Sequence, residues 1–423
     1  MLKNLWYAAC VEGELDERPH PIRMLGHDLV LFRDAAGQPA CLADTCVHRG
    51  APLSRGQCVP GGVQCPYHGW VYGADGRCVE IPSLEAGERI PRRARVDAYP
   101  CAVQFGLVWV FLGDLPAEER PAIPDFLPEF SAGDGAWRFI HGRFDYAANW
   151  ERVFENHIDS AHTHFIHPDF GNRQDPRVAR TKVEAQGLGA WAEHSYPPRP
   201  KRGPLGELVD EHRPPVRTRL AFDLGGLCVR LAIRMTDTLR QVVFQAFTPI
   251  DEQRAVSHYI QARNFLLEPE HDAPMRADLE KIFTEDREIL ELLRPIAVPE
   301  AVNAELSVHT DALPVAFRHQ VRRWRQAYGS VRSPDPATAD RHCLSGAQGR
   351  RALGVSFDLS APRASDSAFD VQVAGEIRGA GVVDPALHHR IDQPLAGIEE
   401  HRNQCVVFHG DALGLLHQRT TLV

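Results

Sequence analysis

The chain has 423 residues, 43% hydrophobic and 24% charged, and carries a formal net charge of −9. This is long enough for two domains and a tail, and the acidic balance points away from nucleic-acid or acidic-membrane partners, leaving small molecules and soluble proteins. No long apolar run opens the sequence, which begins MLKNLWYAAC, so a cytoplasmic location is expected; in that reducing compartment the ten cysteines are read as candidate metal ligands before disulfides.

From 28 to 111, short strand-like runs such as 29–32 and 107–111 alternate with Gly- and Pro-containing turns, which predicts an all-β module. Pro116, Pro121, Pro124 and Pro128 then crowd an aperiodic connector and place a boundary near residue 117. The second region opens with a predicted strand over 137–144 and an amphipathic helix over 149–161, followed by a Pro- and charge-rich excursion at 168–216. Further strands are predicted at 217–223, 228–235, 239–247 and 255–266. In the second of these, Val229, Leu231 and Ile233 alternate with Arg230 and Arg234, as where one sheet face is buried. Helices are predicted at 276–293, where Leu279, Ile282, Phe283, Ile289 and Leu290 recur at helical spacing, and at 312–327. The fold class is therefore α+β, with a sheet packed on helices ending near 332. Beyond it the apolar pattern fades. Residues 333–423 read as a tail, and its histidines His388, His389, His401, His409 and His417 show no ligand spacing.

Two mixed pairs stand out: Cys46-Val-His48-Arg49-Gly50 and, after sixteen residues counted from His48, Cys65-Pro-Tyr67-His68-Gly-Trp70. Two thiolates and two imidazoles are the set required by a [2Fe–2S] cluster with sulfur ligands on one iron and neutral nitrogens on the other, where imidazole in place of thiolate raises the potential. A Cys₂His₂ zinc site is the competing reading, but zinc fingers usually pair Cys with Cys and His with His and place a helix before the second pair. Cys41, Cys58 and Cys78 fall outside the spacing and read as small buried hydrophobes.

The run Glu155-Asn156-His157-Ile-Asp159-Ser-Ala-His162-Thr-His164-Phe-Ile-His167-Pro168 holds a second constellation. On a helix, Glu155, Asp159 and His162 share one face. His167 falls ~140° from His162 at ~100° per residue, so it converges only if the helix ends between them, consistent with Pro168. Two imidazoles and a carboxylate on one face of Fe(II) leave positions open for oxygen. The segment lacks the acid.

The paired Cys-His motif, over most of the first 115 residues, and the segment 149–167 resemble the Rieske-type aromatic-ring-hydroxylating oxygenases. The resemblance implies an N-terminal all-β Rieske domain (1–117) and an α+β catalytic domain (118–332) with a helix-grip antiparallel sheet. It implies that Cys46 and Cys65 bind one iron of the cluster and His48 and His68 the other. Tyr67 and Trp70 would shield the cluster and tune its hydrogen bonding, or serve as core aromatics. His162 and His167 become ligands of a mononuclear Fe(II), with Asp159 as the bridging acid. Phe283-Thr-Glu285-Asp286-Arg-Glu288 resembles the family's ligand-bearing helix and makes Asp286 the third ligand, with Glu285, Glu288 and Asp311 as alternatives. His157 and His164 match no ligand position and are assigned to the surroundings or the surface, and Glu155 and Asn156 to organising the helix.

The implied activity is that of a terminal oxygenase that hydroxylates or oxidatively dealkylates an organic, cyclic substrate with O₂. No Gly-rich nucleotide fingerprint is visible, so electrons from NAD(P)H would arrive through a separate reductase or ferredoxin. The single-chain character is closer to monooxygenase members than to ring dioxygenases. The family's assembly implies a homotrimer in which His68, Asp159 and His162 link cluster and iron across subunits. An aromatic-ring dioxygenase, a Rieske electron carrier without catalytic iron and a zinc-stabilised binding protein are the other readings.

Overall fold

The structure, a computed structural model, describes residues 1–133, 135–197, 208 and 215–331. The tail expected over 333–423 lies outside these residues, as does part of the 168–216 excursion.

The first part of the chain is built from short strands: β1 (Leu5–Val11), β2 (His20–Met24), β3 (His27–Arg33), β4 (Pro39–Ala43), β5 (Gln57–Val59), β6 (Gly62–Gln64), β7 (Val71–Tyr72), β8 (Cys78–Glu80), β9 (Ala98–Tyr99), β10 (Cys101–Gln104) and β11 (Leu107–Leu112). They form sheets ordered β5-β6-β7-β8, β2-β3-β4-β9 and β1-β11-β10. Strand β11 is buried at all six positions, because neither of its faces meets solvent. Leu107 and Trp109 pack with Val242, Phe244 and Ile260, while Val108, Val110 and Leu112 join Leu5 and Tyr7. The Thr248 hydroxyl donates to the Ala8 carbonyl (2.7 Å), tying β1 to the large sheet of the second part.

That second part contains β12 (Arg138–Tyr146), α1 (Trp150–Ile158), α2 (Thr163–Ile166), β13 (Glu184–Gln186), β14 (Gly189–Tyr196), β15 (Val216–Asp223), β16 (Cys228–Arg234), β17 (Arg240–Pro249), β18 (Ala255–Arg263), α3 (Asp272–Leu290) and α4 (Ala312–Tyr328). Its strands make one antiparallel sheet ordered β12-β18-β17-β16-β15-β14-β13. The strands and helices predicted from 137 onward lie within a few residues of these elements, with two corrections. Strands β13 and β14 arise inside the stretch read as an excursion; their buried side chains are Ala190 and Ala192, which give little hydropathy contrast. The helix expected over 149–161 stops at Ile158.

The two faces of the sheet have different neighbours, as side-chain alternation requires. On β18, Ile260 and Ala262 turn toward β11, and Tyr259 turns toward Leu279 and Phe283 of α3. The helices therefore cover one face only, and the functional side chains gather beneath them. No helix among the described residues is long and apolar enough to cross a membrane.

Helix α1 buries Trp150, Val153, Phe154 and Ile158 in the core and is held by charge as well. Asn149 caps its start by accepting the Glu151 N–H (3.0 Å). Glu151, Arg152 and Glu155 are all buried. Arg318 of α4 pairs with Glu155 and also with Glu305 (2.7 Å), Arg152 reaches the same Glu305 (2.7 Å), and Arg325 pairs with Glu151. Burial pushes the Glu155 carboxyl above its ordinary range despite Arg318, so the cation is what makes an ionised Glu155 tolerable there. Replacing Arg318 by Ala should lower the unfolding free energy by about 3 kcal/mol in urea titrations, since a buried charge loses its partner. Adding Glu155→Met should recover a large part of that loss.

Candidate cluster and metal centres

The two Cys-His units fold into the same turn. Cys46 N donates to Ala51 O (2.9 Å) and Gly50 N to Cys46 O (2.9 Å); in the second unit Cys65 N donates to Trp70 O (2.8 Å) and Gly69 N to Cys65 O (3.1 Å). Gly50 and Gly69 adopt φ of 77° and 72°, a left-handed conformation that a side chain would strain, which explains why each unit ends in glycine. Cys46 and Cys65 point inward, at 2% and 3% exposure. The His48 and His68 rings lie outward, 4.4 Å apart between centroids, and Trp70 stacks on His48 at 4.5 Å.

These four side chains suit a cluster. The His48 Nδ1 is buried without a hydrogen-bond partner, a lone pair that iron would satisfy. Burial and then the adjacent Cys46 raise the Cys65 thiol, although the backbone amides of Tyr67 and His68 pull it down; two thiolates this close need a cation between them. Tyr67 lies against His68 at 3.9 Å between ring centroids, and a further aromatic reaches the sulfur side. Tyr67 is 65% exposed, and the buried Tyr72 hydroxyl lies 3.1 Å from Cys46 Sγ, placed to donate to a thiolate. Tyr72 sits on β7 outside the motif, and nothing in its sequence context distinguishes it from a core tyrosine.

The second centre begins where α1 ends. Asp159 is extended (φ −89°, ψ 144°), and its carboxylate accepts the N–H groups of Ala161 (3.2 Å) and His162 (2.8 Å), a local alternative to continuing the helix. The expectation that Glu155, Asp159 and His162 share a helical face is thus corrected, since Glu155 turns to Arg318 and Asp159 to His162. The break comes before His162, and a second turn of helix, α2, carries the chain on to His167.

His162 Nδ1 donates to Asp159 Oδ2 (2.8 Å) and His167 Nδ1 to Glu285 Oε2 (2.9 Å). Each ring therefore turns its Nε2 inward, and the two Nε2 atoms lie 3.4 and 3.2 Å from Asp286 Oδ1. That oxygen is buried and has no aligned hydrogen bond, so the three atoms converge on one point without pairing. Among the described residues, His162, His167 and Asp286 form the one group of three or more whose donor atoms could hold a single metal ion. Burial opposes the Asp286 charge, but the two rings hold its carboxyl well below the ordinary range. Burial likewise opposes the charged form of His162, yet Asp159 and Asp286 raise it to about 9. The pocket is built to stabilise a cation.

The remaining candidates lie elsewhere. Glu285, considered as a ligand, orients His167 from behind. Glu288 is exposed, and Asp311 accepts the Val308 N–H (2.7 Å) at the start of α4. His157 donates to Val153 O (2.8 Å) and packs on Phe247 and Phe283. His164 is buried and accepts the Asn172 N–H (3.2 Å), which places it inside and not on the surface.

Residues 5–100 match the Rieske [2Fe-2S] domain and residues 146–327 the vanillate O-demethylase oxygenase C-terminal domain. The chain is 33% identical over 184 residues to phenoxybenzoate dioxygenase subunit alpha of Ectopseudomonas oleovorans, a match covering 41% of this chain and 44% of that one. It is 26% identical over 339 residues to methylxanthine N1-demethylase NdmA of Pseudomonas putida, covering 77% and 90%. Among solved structures, dicamba monooxygenase bound to 3,6-dichlorosalicylic acid superposes with a TM-score of 0.66 at 25% identity, covering 77% of this chain and 98% of that one. The chain spans less than half the length of phenoxybenzoate dioxygenase subunit alpha and of several other relatives it matches by sequence.

Two substitutions probe the geometry. Tyr72→Phe should lower the cluster's reduction potential by about 50 mV in an EPR-monitored redox titration, because a hydrogen bond to a thiolate favours the more negative, reduced cluster. Glu285→Gln should weaken Fe(II) or Co(II) binding by about 10- to 100-fold, since a ligating imidazole depends on its outer carboxylate for orientation and basicity.

Both halves of the molecule, in the order in which they occur along the chain, match the domains and the folds of one group of proteins, and the chain belongs to the Rieske non-haem iron oxygenase family.

Proposed function

We propose that this protein is a terminal oxygenase in which Cys46, His48, Cys65 and His68 hold a [2Fe–2S] cluster and His162, His167 and Asp286 hold Fe(II). The observation that carries the reading is the convergence of two Nε2 atoms and Asp286 Oδ1, with each imidazole backed by its own carboxylate. Iron at that point supplies the oxygen chemistry and the cluster supplies electrons singly. Asp159 and Glu285 keep the ring protons on Nδ1. The packing of the buried Phe247 and Phe283 against His157 keeps bulk water from the helix side of the site.

The reaction proposed is hydroxylation or oxidative dealkylation of a small cyclic molecule with O₂. The relatives named for demethylation and monooxygenation support it. Electrons come from NAD(P)H through a separate reductase or ferredoxin, and the location proposed is the cytoplasm. We also propose a homotrimer. Among the described residues no hydrogen bond joins Asp159 to His68, and the His68 ring is exposed, as a residue facing a neighbouring copy would be. The domain limits proposed are 1–117 and 118–332. Ring dioxygenation is the second reading, favoured by the relative named a dioxygenase; ¹⁸O₂ labelling separates the two by one or two labelled atoms in the organic product.

The deciding experiment is iron and acid-labile sulfide analysis with EPR of the reduced protein. About three irons and two sulfides per chain are expected, falling to about two irons in a His162→Ala/His167→Ala variant that keeps its Rieske signal. Two irons in both proteins after Fe(II) reconstitution would leave an electron carrier.

A further inference from the structure

Between 89 and 95 the sequence reads Arg89-Ile-Pro-Arg92-Arg93-Ala94-Arg95, four arginines in seven residues without an acid, in a chain whose formal net charge is −9. The structure sets the end of this run against β8. Val96 N donates to Gly76 O (2.8 Å) and Cys78 N to Ala94 O (2.8 Å), and Arg77 and Arg95 face each other across an antiparallel bridge. Side chains alternate along such a ribbon. Cys78, Ala94 and Val96 turn inward and share one core cluster with Cys46, Cys65 and Tyr72. Arg77, Val79, Arg93 and Arg95 are exposed on the other side, and Arg89 and Arg92 are exposed beside them in sequence.

This outer side is electrostatically unfavourable for the chain alone. Like charges directly opposite one another on paired strands repel, and the nearest relief is Asp75, 3.3 Å from Arg77. Among the described residues, Arg89, Arg92, Arg93 and Arg95 have no carboxylate within ion-pair reach. Keeping an exposed edge soluble asks only for charge, and mixed signs would serve without the repulsion. A concentrated patch of one sign instead speeds the encounter with an oppositely charged molecule. Its position selects the kind of molecule. The inward side of the ribbon packs with the two cluster cysteines, and a Cβ on Gly69 would meet Pro82 at 3.1 Å, so the loop leading into the run also lies on the second Cys-His turn. The histidine end of the cluster is the one that the proposed homotrimer turns toward a neighbouring copy, which leaves the cysteine side for an incoming electron.

Resting on the oxygenase reading and its external electron supply, we propose that Arg77, Arg89, Arg92, Arg93 and Arg95 form the docking surface for an acidic iron–sulfur carrier protein. The carrier passes one electron at a time to the cluster across the ribbon. It is oxidised by one electron as the cluster is reduced by one, and no bond or proton changes place. The exposed Val79 adds an apolar contact within the charged patch, the combination found where proteins meet.

The test mixes a reduced, acidic plant-type [2Fe–2S] ferredoxin, whose potential lies below that of a Rieske cluster, with the oxidised full-length holoprotein in a stopped-flow instrument. Wild type is compared with Arg93→Glu/Arg95→Glu and with Arg322→Glu/Arg323→Glu, which makes the same change in net charge on exposed positions of α4. Reduction of wild type should slow by about tenfold as ionic strength rises from about 20 to about 200 mM. The ribbon variant should be about tenfold slower than wild type at low salt and nearly indifferent to salt, while the α4 variant stays within about twofold of wild type. Equal slowing of the two variants would mean that overall charge is responsible and would overturn the assignment. So would an undiminished rate in the ribbon variant, or a wild type that dithionite reduces and the ferredoxin does not. Size-exclusion elution is compared as well, and a ribbon variant that elutes as a smaller species would make the patch a contact between copies. If the charge reversal costs the Rieske signal, Arg93→Gln/Arg95→Gln decides by the same rates. Failure of the oxygenase reading is distinguishable, because it shows as a missing third iron while these rates report on the cluster alone.

Discussion

An imidazole has two nitrogens, and the candidate metal centre depends on which of them is left free. Asp159 accepts a hydrogen bond from Nδ1 of His162 and Glu285 one from Nδ1 of His167, so both Nε2 atoms face Asp286. Reversing either hydrogen bond would turn a donor atom into a blocked one. The two orienting carboxylates come from different places: Asp159 from the break after α1, Glu285 from the C-terminal part of α3 beside Asp286 itself. Two adjacent acids on one helix thus divide the work, one converging with the imidazole nitrogens and the other holding a ring behind them.

That arrangement requires α1 and α3 to keep a fixed separation, and the surrounding structure supplies it in two ways. Aromatic packing of Phe154 on Phe317, and of His157 on Phe247 and Phe283, sets the depth of α1 against α4 and the sheet. The chain of Glu155, Arg318, Glu305 and Arg152 sets its rotation. Apolar contacts tolerate sliding, whereas a bidentate arginine–carboxylate pair holds a direction. The helix whose end presents Asp159 is therefore fixed about its own axis.

The large sheet separates two kinds of neighbour. One face receives β11, whose side chains Leu107 and Trp109 merge with those of the sheet, and so joins the cluster-bearing part of the chain to the catalytic part through a common core. The other face carries the helices. The Met1 ammonium donates to Val331 O (2.8 Å), tying the start of the first part to the segment after α4.

Much of this was legible in the residues. The spacing of Cys46, His48, Cys65 and His68, and the period-two pattern of Val229, Leu231 and Ile233, are local properties that survive in any fold. So were His162, His167 and the acidic turn at Asp286, although their convergence was an expectation carried by resemblance. The end of α1 is not legible in the residues because amphipathic periodicity continues past Ile158, while the Asp159 carboxylate, which captures the amides of Ala161 and His162, leaves no periodic signal. Tyr72 and the role of Glu285 depend on atoms 26 and 118 residues away in sequence, and the facing of Arg77 and Arg95 on register across a bridge. The sequence by itself determined which chemistry the chain could hold, because ligand type and short-range spacing are written locally. Only the tertiary structure decided which nitrogen points at the metal, which hydroxyl meets the sulfur and which polar group is left without a partner, because these are fixed by long-range packing.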